Sequence, residues 1–131
     1  MNKDDLIVRF AGEGGQGVVT SAEGLAQAAT HTGYHAQTFA TFPSQILGGP
    51  TWTQTRISVN PVLSSGDELD VLVCFNEQAY LNHAQSVGKG GVIIYNTDEF
   101  DLTDVSNGIG INFNELAKST GNTRAANMVV I

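Results

Sequence analysis

The strongest candidate for chemistry is a glycine cluster near the start of the chain. Gly12-Glu13-Gly14-Gly15-Gln16-Gly17 puts glycine at the first, third and sixth positions of a G-x-G-x-x-G template. In that template small residues let the backbone turn tightly and bring its N–H groups against an anion at a helix N-terminus. Gly12, Gly14, Gly15, Gln16 and Gly17 are therefore the candidate cofactor-binding residues, and a phosphate-bearing cofactor is the ligand they suit. A close strand-to-helix turn with no ligand uses glycine in the same way, so the template does not choose between the two. A dinucleotide site also wants an acidic residue about 20 positions later for the ribose hydroxyls. From Gly24 to Gly66 there is no Asp or Glu at all, which disfavours ordinary NAD binding.

A second candidate is the loop Phe42-Pro43-Ser44-Gln45-Ile46-Leu47-Gly48-Gly49-Pro50 and the stretch it leads into. There Thr51, Thr53, Thr55, Ile57 and Val59 alternate with Trp52, Gln54, Arg56 and Ser58, which predicts a strand with two chemically distinct faces. The β-branched face reads as buried. Trp52, Gln54 and Arg56, with Ile46 and Leu47, read as a contact surface, since Trp, Arg and aliphatic side chains together have the composition of a docking patch. Arg56 is the candidate to hold a carboxylate or phosphate. The competing readings are an Arg lying across the sheet as packing and a Trp52 that belongs to the core.

Other chemistry finds no residues. His31 and His35 are separated by Gly33, His83 has no partner in sequence, and Cys74 lies inside an apolar run where a thiol behaves as a small hydrophobe. No nucleophile elbow, phosphate loop ending in Gly-Lys-Ser/Thr, or repeated cysteine spacing occurs. No catalytic residue and no metal ligand is therefore assigned, and any redox carrier must come from elsewhere.

The elements that would position the glycine cluster follow from periodicity. Residues 6–11 are an apolar run with a single Arg9, ending at the glycines as a strand ends at a turn. From 16 to 32, Val18, Val19, Ala22, Leu25, Ala26 and Ala29 recur at helical spacing, and Gly33 stands where a helix would stop. Strands are predicted over 35–42, 51–59, 70–75 and 91–95, with a short edge strand at 109–113. Residues 70–75 form the unbroken apolar run of a central parallel strand. Asn76 is placed to cap a helix from Glu77 to Gly88, 96–107 is an acidic loop, and Asn114 is placed to cap a short helix. The order β-α-β-β-β-α-β predicts an α/β fold: a Rossmann-like sandwich with a mostly parallel or mixed sheet flanked by helices.

Composition narrows the function. At 131 residues, 41% hydrophobic and 15% charged, the chain suits one globular domain with a real core. A net charge of -7 with six Lys plus Arg and no basic cluster speaks against nucleic acid. Apolar runs are far shorter than the roughly 20 residues that cross a bilayer, so no membrane span is expected. The polar start and lone cysteine read as cytoplasmic. Residues 1–131 are read as one domain, and a helical pattern from 123 that stops at Met128-Val129-Val130-Ile131 predicts that the natural domain continues.

The glycine cluster followed by Val18-Val19-Thr20-Ser21-Ala22-Glu23, then Gly48-Gly49 and Thr55-Arg56-Ile57-Ser58, resembles the gamma domain of 2-oxoacid:acceptor (ferredoxin) oxidoreductases. Asp70-Val71-Leu72, Arg124 and Asn127-Met128 resemble later landmarks of that family, and the likeness spans 6–131. Pro43-Ser44-Gln45-Ile46 is similar to the branch in which gamma and alpha parts share one polypeptide, the 2-oxoglutarate synthase alpha subunits. Many members carry Arg before the double glycine where Leu47 stands here, leaving that contact absent or supplied by Arg56. The resemblance implies oxidative decarboxylation of a 2-oxoacid such as 2-oxoglutarate or pyruvate, using coenzyme A, thiamine diphosphate, iron–sulfur clusters and ferredoxin. It also implies that the thiamine site and clusters lie in other parts, with alpha and beta portions as partners. This domain's share would be docking and a coenzyme A contact, and the chain by itself would be inactive. A free-standing Rossmann-like module for a nucleotide or flavin is the second reading.

Overall fold

The computed structural model describes residues 5–13, 17–41, 50–61, 68–102 and 106–113. Its elements are β1 (Asp5–Glu13), α1 (Val18–His31), β2 (His35–Thr41), β3 (Pro50–Ser58), β4 (Leu69–Cys74), α2 (Glu77–His83), β5 (Val87–Asn96) and β6 (Gly108–Ile111). They build a mixed α/β sheet in the order β2-β3-β1-β4-β5-β6. The β2–β3 and β3–β1 pairings are antiparallel, whereas β1–β4, β4–β5 and β5–β6 are parallel.

β1 and β4 lie at the centre, which explains their nearly continuous apolar sequence. Along β1, Val8 and Phe10 turn to one face and pack with Val18 and Ala22 of α1, Val73, Phe75 and Phe113. Ile7 and Ala11 turn to the other and pack with Leu72, Cys74, Ile93, Tyr95 and Ala79 of α2. The two helices thus cover opposite faces. Cys74 is fully buried in this second layer, and burial pushes its thiol up to about 12.

Of the stripe its spacing predicts, α1 buries Val18, Ala22 and Ala29 and leaves Val19, Leu25 and Ala26 partly exposed; Ser21 is buried with them, and Thr55 of β3 donates its hydroxyl to the Ala22 carbonyl at 3.0 Å. The helix ends as expected at Gly33. Tyr34 N–H reaches the Ala29 carbonyl and Gly33 N–H the Thr30 carbonyl, both at 3.1 Å, with Gly33 at φ 97°. This is a Schellman closure, in which glycine takes the left-handed position without steric cost.

Asn76 caps α2 as predicted, its Oδ1 accepting from Ala79 N–H at 2.8 Å. The helix is shorter than the expected run to Gly88. It ends at His83, a single 3-10 turn follows at Ala84–Ser86, and the next strand already opens at Val87. The cause is a bulge in which Leu69 pairs with Val87 but Val71 with Val92, with Gly90 at φ 85° inside the extra length. Beyond it, Asn96 Oδ1 accepts from Asp98 N–H at 3.1 Å and Phe113 N–H at 3.2 Å, tying the acidic loop to the end of β6. The helix expected after Asn114 and the pattern from 123 lie outside the described residues, as does the loop 42–49.

Two glycines should respond differently to alanine. At Gly33 a Cβ meets nothing within 4 Å, so Gly33→Ala pays only for the left-handed backbone and should lose about 1 kcal/mol. At Gly91 a Cβ would stand 2.6 Å from Val87 Cγ1 and 3.0 Å from two backbone carbonyl oxygens, so Gly91→Ala should lose more than that. Urea unfolding of both variants checks the order.

Candidate functional site

The parallel neighbours β1 and β4 send their following helices to opposite faces, so their carboxyl ends form a topological switch point. In open α/β sheets ligands bind in the crevice outside such ends. The crevice is framed by Gly12 and Gly17 on the β1 side and by Phe75 and Asn76 on the β4 side, joined where Phe75 N–H donates to the Ala11 carbonyl at 2.9 Å. Gly17 holds φ 83°, ψ 22° at the N-cap of α1 and has no side chain of its own to cap the helix. Ser21 N–H makes the first turn's bond to the Gly17 carbonyl at 2.9 Å. The N–H groups of Val18, Val19 and Thr20 therefore have no intrahelical acceptor, at the positive end of a 14-residue helix whose first turn carries no acid. That arrangement suits an anion. On the α2 side the space between Gly12, Thr51, Asn76 and His83 is about 10 Å³, room for no more than a water.

Of the sequence candidates, Gly12 lies within β1 opposite Thr51 and Gly17 is the N-cap of α1, while Gly14, Gly15 and Gln16 fall outside the described residues. Arg56 does not join them. Its Nη2 meets the Asp5 carboxylate at 2.8 Å and its Nε donates to the same group at 3.0 Å. The antiparallel register sets Arg56 opposite Ile7, five residues before Gly12 along β1, or about 16 Å away. Whether Arg56 supplies the contact expected beside Leu47 falls on residues 42–49, outside the described residues.

The two-faced reading of β3 also needs correction. Thr51, Thr53 and Thr55 are buried as expected, but Val59 is 48% exposed because the strand ends at Ser58. On the other face Gln54 is only 1% exposed and Trp52 is half-buried against the Ile7–Ala11 layer, so this is not an open surface of three free side chains.

What closes that face is a cluster that no spacing in the chain foretells. Arg9, three residues before Gly12 in β1, donates from Nε to Gln54 Oε1 at 2.9 Å. Its Nη1 lies 3.0 Å from His83 Nδ1, and its guanidinium carbon sits 4.3 Å above the Trp52 ring. The His83 and Trp52 rings meet edge to face at 6.1 Å. Arg9 has no acceptor capacity, so His83 Nδ1 must be the acceptor and the neutral ring carries its proton on Nε2. Burial, then the Arg9 charge, lowers His83 to about 4, and burial lowers Arg9 as well. The available signal was Arg9 itself, the one charge in an otherwise apolar run.

Residues 7–131 match the family described as pyruvate ferredoxin/flavodoxin oxidoreductase. The chain belongs to this family. This oxidoreductase-family domain is 36% identical over 130 residues to ketoisovalerate oxidoreductase subunit VorA of Methanothermobacter marburgensis, covering 97% of the chain but 27% of that relative. It is 34% identical over 96 residues to the pyruvate/ketoisovalerate oxidoreductases common subunit gamma of Thermococcus litoralis, covering 70% of the chain and 52% of the relative. Among solved structures it resembles a 2-oxoglutarate:ferredoxin oxidoreductase from Magnetococcus marinus with 2-oxoglutarate, coenzyme A and succinyl-CoA bound, at TM-score 0.84 and 33% identity over 98% of this chain and 23% of that one. A keto/oxoacid ferredoxin oxidoreductase gamma subunit from Geobacter sulfurreducens matches at TM-score 0.82 and 26% identity, over 95% of this chain and 71% of that one. The oxidoreductase domain thus spans between 16% and 53% of the curated relatives it matches. Membership bears out the gamma-type α/β fold. The free-standing nucleotide module is not favoured: β2 and β3 form an antiparallel hairpin where a dinucleotide fold would bring a parallel strand bearing the ribose-binding acid. Among the described residues no helix is long and apolar enough to cross a membrane.

Two variants probe the cluster. Unfolded His83 titrates near 6.5 and folded His83 near 4, so between those values the unfolded chain binds more protons. Its contribution is full above pH 6.5 and is lost as pH falls toward 4. His83→Gln keeps an acceptor for Arg9 without the titration, and its urea-unfolding stability should fall less steeply than wild type across that window. Trp52→Ala should lose about 2 kcal/mol, less than the roughly 3 to 5 of a fully buried tryptophan. Unchanged thermal melting would mean that Trp52 carries no packing role.

Proposed function

We propose that this chain is the gamma domain of a coenzyme A-dependent 2-oxoacid:ferredoxin oxidoreductase, most similar to the branch in which gamma and alpha parts share a polypeptide. The observation that carries the reading is the likeness over nearly the whole chain to a domain of the Magnetococcus marinus enzyme, which holds 2-oxoglutarate, coenzyme A and succinyl-CoA. The overall reaction converts a 2-oxoacid anion and coenzyme A to an acyl-CoA and CO2, releasing one proton and passing two electrons to ferredoxin. Thiamine diphosphate and iron–sulfur clusters supply the carbon–carbon cleavage and electron transfer from the alpha and beta parts. Relatives carry names for ketoisovalerate, pyruvate and 2-oxoglutarate, and one gamma subunit is common to two of these. Choice of 2-oxoacid therefore rests outside this domain. The single unpaired cysteine suits a reducing cytoplasm.

Within the assembly the domain docks beside the reaction centre and offers the Gly12, Gly14, Gly15, Gln16, Gly17 turn to coenzyme A. The uncapped N–H groups of Val18, Val19 and Thr20 would face its phosphates. With a net charge of -7, attraction for a polyanion must be local, and this helix end is where the chain provides it. Arg56, held by Asp5, is left out of this contact.

The test is reconstitution. The chain produced with its alpha and beta partners should reduce methyl viologen in a reaction dependent on both a 2-oxoacid and coenzyme A, while the chain by itself should show no turnover. Turnover by the isolated chain, or an assembly indifferent to its omission, would overturn the assignment.

A further inference from the structure

The guanidinium of Arg9 is unusual in its company. It is half-buried, stacked on Trp52, and held by two neutral acceptors, Gln54 and His83. No carboxylate among the described residues pairs with it, although the chain has thirteen Asp plus Glu. On the same face of β1 the Asp5 carboxylate is committed to Arg56. A partly desolvated cation with neutral partners has lost water without gaining a counter-charge, and it gains most from a carboxylate delivered to its remaining N–H groups. The surroundings are built for contact as well. α1 covers one side of β2 and β3, but α2 packs on β1 and β4 and reaches β3 through His83. On this second side of the hairpin Phe39, Gln54 and Arg9 stand in one cross-strand row beside Trp52; Gln54 is buried, and α2 reaches the row through His83, while Phe39, Arg9 and Trp52 each keep part of their surface exposed. Aromatic and Arg side chains around a desolvated centre are the composition of an interface hot spot.

We propose that this face is a docking surface whose occupant is another part of the same oxidoreductase, presenting an Asp or Glu carboxylate to Arg9 beside Trp52. The choice rests on the gamma-domain reading above and on two observations. The charge at Arg9 asks for an acid, and the relatives carry this domain within chains of which it forms 27% or 52%. His83 and Gln54 act as positioning residues that fix the guanidinium plane.

The test uses the whole reconstituted enzyme. Arg9→Lys places an amine at the site, and a zero-length carbodiimide then joins it to a carboxylate in direct contact. Peptide mass spectrometry should find residue 9 linked to an Asp or Glu outside residues 1–131. A link confined to this chain's own acids, a link to a second copy of this chain, or none at all would overturn the proposal. Should the variant fail to assemble, a structure of the wild-type enzyme decides: a carboxylate oxygen of another part within hydrogen-bond reach of Arg9 supports it, and water, a backbone carbonyl or a bound small-molecule acid there overturns it. Where a linking acid is found, Arg9→Glu should weaken assembly roughly 30-fold or more, and reversing the acid to Arg should restore it. An enzyme that assembles and turns over without the contact removes the docking surface and leaves the gamma-domain reading standing. Failure of wild-type chains to assemble removes both.

Discussion

β1 is hydrogen-bonded along both edges in opposite senses, antiparallel to β3 and parallel to β4, and the remaining architecture follows from that double commitment. A strand so placed must be apolar on both sides, which draws one helix to each face. It also divides the sheet into a hairpin half under α1 and a parallel half under α2. The seam between the halves opens at the carboxyl end of β1, where the β4 side is bonded last by Phe75 N–H on the Ala11 carbonyl while β3 stays paired with β1 as far as Glu13. Gly17 takes the left-handed backbone at the N-cap of α1, where glycine bears no steric cost, and the N–H groups of Val18, Val19 and Thr20 begin that helix without an intrahelical acceptor.

Arg9 is the exception inside this strand, and its tolerance shows how the hairpin half is organised. A charge in an apolar row is costly unless its hydrogen bonds are met. Here they are met by a glutamine from the neighbouring strand, a neutral imidazole from the end of α2 and a tryptophan face, so four residues scattered from 9 to 83 depend on one register. Slipping β3 by one residue would turn both Gln54 and Trp52 to the other face and leave the guanidinium with His83 alone.

The sequence was informative wherever a local rule decides the outcome. Periodicity and the αL glycine set α1 and its end at Gly33, an Asx cap set the start of α2, and the apolar run 70–75 marked a central parallel strand. Alternation correctly assigned the buried threonines of β3. It could not say what would lie against Trp52 and Gln54, because that depends on pairing with residues 45 positions away and on a histidine from another element. The same reason hid the ion pair of Arg56 with Asp5: a strand's faces are visible in sequence, but which residues meet across neighbouring strands is fixed by register. The early start of β5 was hidden because a bulge hosts Gly88 to Gly91, which read as the close of a helix. At the glycine site the type of residue was legible and the partner strand was not.

The buried thiol of Cys74 has a meaning beyond packing. A sulfhydryl with its ionisation displaced to about 12 is a thiolate in only on the order of one molecule in 100,000 at neutral pH, and the thiolate is the form that attacks peroxides, exchanges with glutathione and ligates iron. Set within an enzyme proposed to move electrons through thiolate-bound clusters, this domain would offer no competing sulfur: it could share a subunit with low-potential chemistry and remain chemically silent toward it.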